Sequence, residues 1–422
     1  MKKLSVRNLV LVGFTLFSMF FGAGNLIFPP HLGAQAGANF WFAFAGLAVS
    51  AIGLPIAGVA AVAHAGSLDA LAGRVHPAFA RVFTILVYLS IGPCLAIPRT
   101  ASTSFQMLVP LVGSSSALQL GYSAVFFTAA FLVALHPEKL TNWLGRILCP
   151  CLILLIVVLF AGCMIHPLAA HYGTPSAEYA SLPAVQGVLY GYQTMDTLAA
   201  LNFGAVIALN VRVRGVTEDS AVEHSIIQAG LIAGTLLLIV YAMLGHAGAQ
   251  TGTVYPGLAT GAEVLTALAQ NLFGNAGLVL IAAIFVIACF NTCVGLISCV
   301  GQYFHQLLPR IPYPVIAAFF AAASMVISNI GLAGIIRLST PVLNAIYPVA
   351  IVLILLSFVP GLEKRRAVWP LCVGFTAVQS VAAALPLGVV SATANALPLG
   401  GLGFGWVVPA VVGLAVGLCC NK

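Results

Sequence analysis

The stretch Ser18-Met-Phe-Phe-Gly-Ala-Gly-Asn-Leu-Ile-Phe-Pro-Pro30 places polar and helix-breaking residues inside the first long apolar run. Gly22, Gly24 and Asn25 are poorly suited to a continuous helix, and the two prolines lack an N–H donor. An unpaired backbone group in hydrocarbon is costly, so a break at membrane depth is tolerated where the freed groups line a cavity or bind a ligand. The stretch therefore predicts a ligand site, with a simple kink as the alternative.

A second polar interruption, Tyr190-Gly-Tyr-Gln-Thr-Met-Asp196, lies within the sixth predicted helix. Asp196 or Thr197 could cap the half-helix that follows, although neighbouring helices could also satisfy a polar kink. Five predicted helices separate the two breaks, and an odd number inserts the second block inverted relative to the first. Interrupted helices at matching places indicate an inverted-repeat transporter with its site near the bilayer midplane.

Two further groups of residues could bind charge. Ala288, Asn291 and Thr292 share one face of the eighth predicted helix, where oxygens would suit a hard cation such as sodium. Hydrogen bonding between helices is an equally good explanation. Arg99 lies in the third predicted helix and Asp196 is the only acidic residue in a predicted span, so the two could form an ion pair, or Arg99 could extend outward.

The elements that must position these residues follow from composition. The 422-residue chain is 61% hydrophobic and 6% charged, with a mean hydropathy of +1.10. This composition excludes a water-soluble domain and predicts an all-α polytopic membrane protein. The basic residues behind the net charge of +7 are dispersed, which excludes a nucleic-acid surface. Apolar runs predict twelve helices: 7–29, 40–63, 80–108, 120–135, 145–165, 186–210, 225–248, 274–307, 313–331, 335–358, 367–385 and 403–420.

Positive charge indicates the orientation, because lysine and arginine resist translocation. With both termini in the cytoplasm, Arg99 and Arg337 are the exceptions to a consistent sorting. The basic residues assigned to the cytoplasmic side are Lys2, Lys3, Arg7, Arg74, Arg81, Lys139, Arg146, Arg212, Arg214, Arg310, Lys364, Arg365, Arg366 and Lys422.

Smaller signals complete the pattern. An apolar stripe within Gly261–Asn271 predicts a short surface helix over an entrance, or else a simple connector. A polar stripe on the tenth helix predicts the lining of an outer vestibule; it consists of Arg337, Thr340, Pro341, Asn344 and Tyr347. The ten cysteines show no metal or disulfide spacing and are expected to act as small apolar fillers. No nucleophile constellation is evident, so we expect no enzyme and no cofactor.

Four motifs resemble the bacterial branched-chain amino acid:cation symporters, and the similarity covers essentially the whole chain. They are Phe-Phe-Gly-Ala-Gly-Asn-Leu-Ile-Phe-Pro-Pro (20–30), Ile-Gly-Pro-x-x-Ala-Ile-Pro-Arg-Thr (91–100), Gly-Tyr-Gln-Thr-Met-Asp-x-Leu-Ala-Ala-Leu (191–201) and Ser-Thr-Pro-Val-Leu-Asn-Ala-Ile-Tyr-Pro (339–348). The resemblance implies the leucine-transporter type fold of the amino acid-polyamine-organocation superfamily.

The implied architecture is a five-plus-five inverted repeat with discontinuous helices 1 and 6. Its first repeat would span 1–165, its second 186–358, and two accessory helices 359–422. The resemblance also implies import of leucine, isoleucine and valine across a bacterial inner membrane, coupled to sodium. Coupling to protons through Asp196 or a histidine, a carrier of other apolar amino acids, and a passive channel or sensor are the alternatives.

Site residues follow from the same resemblance. The substrate carboxylate would meet the N–H groups of Ala23 and Gly24, and Asn25 would contact substrate or a sodium ion. The remaining substrate contacts would come from Gly22, Gly92, Pro93, Tyr190, Gly191, Tyr192, Gln193 and Thr194. A sodium site would use Ser18, Phe21, Ala288, Asn291 and Thr292, with Asn291 standing where the fold expects a hydroxyl.

Overall fold

The computed structural model describes residues 4–362, 365–385 and 388–420, and every regular element in those ranges is helical. The predicted cytoplasmic residues Lys2, Lys3, Lys364 and Lys422 lie outside them. The first ten helices are α1 (Val6–Phe20), α2 (Ala23–Ala36), α3 (Phe40–Ala48), α4 (Leu54–Ala65), α5 (Leu68–Gly73), α6 (Pro77–Leu89), α7 (Ala96–Val112), α8 (Ser116–Ala134), α9 (Cys149–Ile165) and α10 (Ala177–Ser181).

The second half of the chain continues in the same manner. Its helices are α11 (Pro183–Gly191), α12 (Asp196–Val213), α13 (Asp219–Val254), α14 (Gly261–Phe273), α15 (Asn275–Leu307), α16 (Tyr313–Ser328), α17 (Leu332–Ser357), α18 (Val368–Ala384), α19 (Gly388–Asn395) and α20 (Val407–Cys420). Short π-helical turns join α3 to α4, join α6 to α7, and precede α9.

Eight helical stretches of the described chain are long and apolar enough to cross a membrane, which confirms a polytopic all-α membrane protein. They are Ala23–Ala65, Pro77–Val112, Ser116–Ala134, Pro137–Ile165, Asp196–Val213, Asp219–Val254, Asn275–Leu307 and Leu332–Ser357. Four shorter apolar helices are α1, α16, α18 and α20. The first predicted helix differs most from expectation, because α2 continues through Pro29 and Pro30 to Ala36.

Each interrupted helix is packed along an uninterrupted neighbour. The long helix α13 contacts both α1 and α2, and the α3–α4 pair contacts both α11 and α12. Glycines allow these backbones to approach closely. An ideal Cβ at Gly248 of α13 would lie 2.0 Å from the carbonyl oxygen of Pro30, and one at Gly187 of α11 would lie 1.9 Å from that of Ala43. The halves of each broken helix are therefore held by a common partner.

Candidate functional site

The first break is short and is closed by its own residues. Helix α1 ends at Phe20, Gly22 is extended (φ −125°, ψ −152°), and α2 begins at Ala23. The Gly22 N–H donates to Oδ1 of Asn25 at 3.1 Å. The first N–H groups of a helix have no partner within it, so those of Ala23 and Gly24 are available to an anion.

The second break depends on an unusual backbone residue and on a distant side chain. A 3₁₀ turn over Tyr192–Thr194 leads to Met195, whose φ of 68° is left-handed, and α12 begins at Asp196. The predicted cap was wrong: the Asp196 N–H donates to Oγ1 of Thr194 at 3.4 Å, and neither Asp196 nor Thr197 caps α12 with its side chain.

Arg99 of α7 reaches the carbonyls that this break exposes. Its Nη1 donates to the carbonyl oxygen of Gln193 at 3.1 Å, and its Nη2 to that of Thr194 at 3.3 Å. Arg99 is 4% exposed, and its Cζ lies 5.8 Å from the ring centre of Phe28. The expected ion pair with Asp196 is not formed, because the two backbone carbonyls take up these donors and Asp196 is hydrogen-bonded elsewhere.

Asn25 and Tyr241 connect the two breaks. Nδ2 of Asn25 donates to Oδ2 of Asp196 at 2.6 Å and also contacts the Tyr241 hydroxyl. The same hydroxyl donates to Oδ2 of Asp196 at 3.0 Å. Sequence reasoning missed Tyr241, whose only signal was a tyrosine within the apolar run 236–244 of α13. All three side chains are fully or almost fully buried.

A small pocket of about 20 Å³ lies where the breaks meet, and it has room for about one water molecule. It brings together Gly22, Ala23, Gly24, Asn25 and Thr194 with Arg99, Asp196 and Thr292. Its remaining lining residues are Met19, Phe20, Ile91, Ala96, Thr100, Met195, Ala199 and Leu296. The periodicity of α7 could have suggested Ala96 and Thr100, because Arg99 lies beside them on the same helix.

The other predicted substrate residues lie outside this pocket. Gly92 and Pro93 form the π-helical turn before α7, where Gly92 faces Val300. Gly191 packs against Ser50, and Tyr192 stacks on Tyr347 with ring centres 4.8 Å apart. Tyr190 and Gln193 line a second, larger cavity.

The predicted sodium residues converge in part. An ideal Cβ at Gly22 would lie 2.5 Å from Oγ1 of Thr292, so α15 abuts the first break. The amide of Asn291 and the hydroxyl of Thr292 are buried without a hydrogen-bond partner in the described ranges. Phe21 and Ala288 are also fully buried. Ser18 instead donates to the carbonyl oxygen of Leu144 at 3.4 Å.

The larger cavity has a volume of about 690 Å³, which falls in the range typical of small-molecule sites. Arg337 and Thr340 line it, as predicted for the polar stripe on the tenth helix, while Asn344 borders a different cavity. The predicted surface helix is present as α14, and Gly261 and Ala262 at its start line the cavity.

Residues of both interrupted helices line the large cavity. Among them are Phe28 of α2 and Tyr190 of α11, whose ring centres are 5.2 Å apart. The Tyr190 hydroxyl is 2.5 Å from Nδ1 of His31, so a hydrogen bond links α2 to α11 beside the cavity. In the described ranges no three His, Cys, Asp or Glu side chains form a metal cluster.

Solved structures resemble this chain in fold. A nucleobase-cation-symport-1 family transporter, closed with bromovinylhydantoin bound, matches with a TM-score of 0.66 and 11% identity, over 97% of this chain and 91% of that one. A Na⁺-coupled sialic acid symporter matches with a TM-score of 0.63 and 13% identity, over 97% and 90% of the two chains. At these identities the likeness concerns the fold alone.

Relatives by sequence are more specific. Branched-chain amino acid permease BraB of Bacillus subtilis is 39% identical over 98% of this chain and 95% of its own length. The branched-chain amino acid transport system 2 carrier protein of Pseudomonas aeruginosa is 37% identical, over 98% and 96%. The family model described as branched-chain amino acid transport protein matches residues 5–422. The chain therefore belongs to the branched-chain amino acid transport protein family, a family of membrane transporters and not of enzymes.

Proposed function

We propose that this protein is a cation-coupled symporter that imports leucine, isoleucine and valine by alternating access. One observation carries the proposal: two interrupted helices meet at a buried pocket lined by the guanidinium of Arg99, the carboxyl group of Asp196 and apolar side chains. Family membership supports the branched-chain substrates. The protein would lie in a bacterial inner membrane and cross it twelve times, with both termini in the cytoplasm.

The proposed architecture is an inverted repeat of residues 1–165 and 186–358, followed by accessory helices in 359–422. The packing supports it. Helix α13, in the second block, lies along both halves of the broken helix in the first block. The α3–α4 pair, in the first block, lies along both halves of the broken helix in the second. Each block therefore supplies the helices that pack along the broken helix of the other block, as expected for two structurally equivalent repeats.

The proposed substrate site uses the chemistry of an amino acid. A carboxylate is stabilised by the free N–H groups of Ala23 and Gly24 at the positive end of α2. The ammonium would be stabilised by the Asp196 carboxylate. Met19, Ile91 and Leu296 would surround the branched side chain. A pocket of this kind discriminates by about 1–3 kcal/mol per methylene, so three similar side chains would share it.

Entry of the substrate would occur through the large cavity. The pocket volume of about 20 Å³ is far below that of a bound amino acid, whereas the large cavity is of ligand size. Passage between them requires Phe28 and Tyr190 to move apart. Binding would thus be coupled to a rearrangement of α2 against α11.

Sodium is the proposed coupling ion, bound by backbone near Ser18 and Phe21 together with Ala288, Asn291 and Thr292. The support is that the side-chain oxygens of Asn291 and Thr292 are buried without a hydrogen-bond partner in the described ranges, and that Thr292 lies against the first break. One positive charge crossing about 100 mV provides about 2.3 kcal/mol, equivalent to roughly forty-fold accumulation.

Proton coupling is the second candidate, and the surroundings of Asp196 favour it. This carboxyl is 3% exposed and accepts hydrogen bonds from two neutral side chains, with no ion pair in the described ranges. An ionised group is costly in such a site, whereas a protonated one is not.

Uptake by proteoliposomes distinguishes these candidates. We expect labelled leucine to accumulate when a sodium gradient is imposed at constant pH, and to be displaced by isoleucine and valine. Accumulation driven by a pH gradient without sodium, and lost in Asp196→Asn, would instead establish proton coupling. If neither gradient produces accumulation, the symporter proposal fails.

A further inference from the structure

Arg99 is a buried cation in the helical stretch Pro77–Val112, which is long and apolar enough to cross a membrane. Its two hydrogen bonds to backbone carbonyls use only part of its hydrogen-bonding capacity. A charged side chain at the bilayer centre costs at least about 3 kcal/mol on insertion scales, so such residues normally serve a function. Arg99 has five N–H donors. One from Nη1 and one from Nη2 bond the carbonyls of Gln193 and Thr194.

Two of the remaining N–H donors of Arg99, on Nε and Nη2, lie along one edge of the guanidinium. Nε is buried without a hydrogen-bond partner in the described ranges. In a planar guanidinium, Nε–H and the second N–H of Nη2 lie side by side and match the two oxygens of a carboxylate. Nη2 is also close to the first break, because an ideal Cβ at Gly24 would lie 2.9 Å from it.

We propose that this edge of Arg99 binds the α-carboxylate of the transported amino acid, beside the N–H groups of Ala23 and Gly24. The inference rests on the proposed function. It adds a charged group, the Arg99 guanidinium, to the backbone N–H groups that bind the carboxylate. The two carbonyl hydrogen bonds fix the guanidinium in place before substrate arrives, which lowers the entropic cost of binding.

The arrangement of charge supports the same assignment. Arg99 and Asp196 line one pocket without pairing with each other. A zwitterion can satisfy both, with its carboxylate on Arg99 and its ammonium towards Asp196. An amide or amine that lacks the carboxylate leaves Arg99 uncompensated. The transporter should therefore bind zwitterionic amino acids more tightly than analogues that lack the negatively charged carboxylate.

The test compares leucine with leucinamide, which keeps the side chain and ammonium but carries no negative charge. Equilibrium affinities for both are measured on the purified full-length protein in lipid nanodiscs. We expect Arg99→Gln to weaken leucine about 10- to 100-fold, the range for a hydrogen bond to a charged group, and leucinamide less than about threefold. Arg99→Lys should restore part of the preference, because it keeps the charge but not the paired donors.

Matched controls separate this role from a structural one. Arg310→Gln removes an exposed arginine and should leave both affinities unchanged. An equal loss of leucine and leucinamide affinity in Arg99→Gln would overturn the inference, since it would indicate that Arg99 only holds the second break. Recovery of leucine affinity in the double variant Arg99→Gln/Asp196→Asn would also overturn it, by making Arg99 merely the counter-charge of Asp196.

Two further readouts keep the outcome decisive. Should Arg99→Gln not fold, Arg99→Lys alone decides: a leucine-to-leucinamide preference equal to that of the unmodified protein overturns the inference, and a preference at least threefold lower supports it. Failure of the unmodified protein to bind leucine would contradict the proposed function, and that outcome is distinct from any change caused by Arg99.

Discussion

The two helix breaks meet at one pocket but are stabilised in opposite ways. The first is built locally, from an extended Gly22 and an Asn25 side chain three residues away. The second holds the non-glycine Met195 in a left-handed conformation, and its carbonyls are bound by Arg99, 94 and 95 residues distant in sequence. A left-handed non-glycine residue costs of order 1–3 kcal/mol and persists only where its surroundings enforce it.

This difference shows that the first break is fixed by its own sequence, whereas the second is fixed by tertiary contacts. Changes at the first should act by removing space or a local cap. Changes at the second should act through Arg99, Asn25 or Tyr241, which lie on other helices.

Gly22→Ala should lower the rate of leucine uptake more than tenfold. An added Cβ would lie 2.5 Å from Oγ1 and 2.9 Å from Cβ of Thr292, so α1 and α15 could not keep their present separation. Leucine uptake and thermal stability measure the effect. The control is Gly121→Ala in α8, where a Cβ meets nothing within 4 Å. Equal behaviour of the two variants would contradict a steric requirement at the first break.

Asn25→Ala should disconnect the breaks from each other. It removes the acceptor for Gly22 N–H and a donor to Asp196, and each buried group left unpaired costs about 1–3 kcal/mol. We expect a lower melting temperature and at least a tenfold loss of leucine affinity. Asn271→Ala is the control, because that amide also binds a tyrosine hydroxyl but is exposed. Normal leucine affinity in Asn25→Ala would show that the breaks hold their geometry independently.

Thr292→Ala should raise the sodium concentration for half-maximal uptake about two- to tenfold, as expected for one lost neutral ligand. Leucine affinity at saturating sodium should change less. The control is Thr235→Ala, an exposed threonine bonded within its own helix. Unchanged sodium dependence would remove Thr292 from the proposed ion site and, with it, the role of α15 at the first break.

Tyr190→Phe should have the smallest effect, a two- to fivefold change in the uptake rate. The variant loses a single hydrogen bond to His31, worth about 0.5–1.5 kcal/mol, between the helices that separate the cavity from the pocket. Tyr172→Phe removes a similar tyrosine–histidine contact, 2.6 Å to His246, away from the cavity. If both variants change the rate equally, Tyr190 does not control passage.

Much of the fold could be predicted because its signals are local. Apolar runs identify the membrane-spanning helices, and glycine with asparagine marks the first break within a residue or two. Pro29 and Pro30 were misleading, since α2 accommodates both without ending. The predicted cap at Asp196 failed for a different reason: the tertiary contacts of the second break, not local propensity, decide its geometry.

Sequence reasoning found the pocket residues that carry a helix-breaking or polar signal, namely Gly22 to Asn25, Arg99, Thr194, Asp196 and Thr292. Their roles in binding substrate or ion stay predictions. Tyr241 and the carbonyl contacts of Arg99 could not be found, because they depend on how α13 and α7 cross the breaks. Gly92 and Pro93 look functional by composition, and the structure places them in the turn before α7, outside the small pocket.

The long contact of α13 with both halves of the first broken helix has a mechanical consequence. Because α13 packs along both α1 and α2, we expect the angle between α1 and α2 to change little. The α3–α4 pair packs along α11 and α12, so we expect the same of the second broken helix. We expect motion where these helix groups meet each other, as between α2 and α11, and where they pack against α7 and α15. Arg99 lies on α7 and Thr292 lies on α15. The residues proposed to bind substrate and ion are therefore placed where this motion is expected.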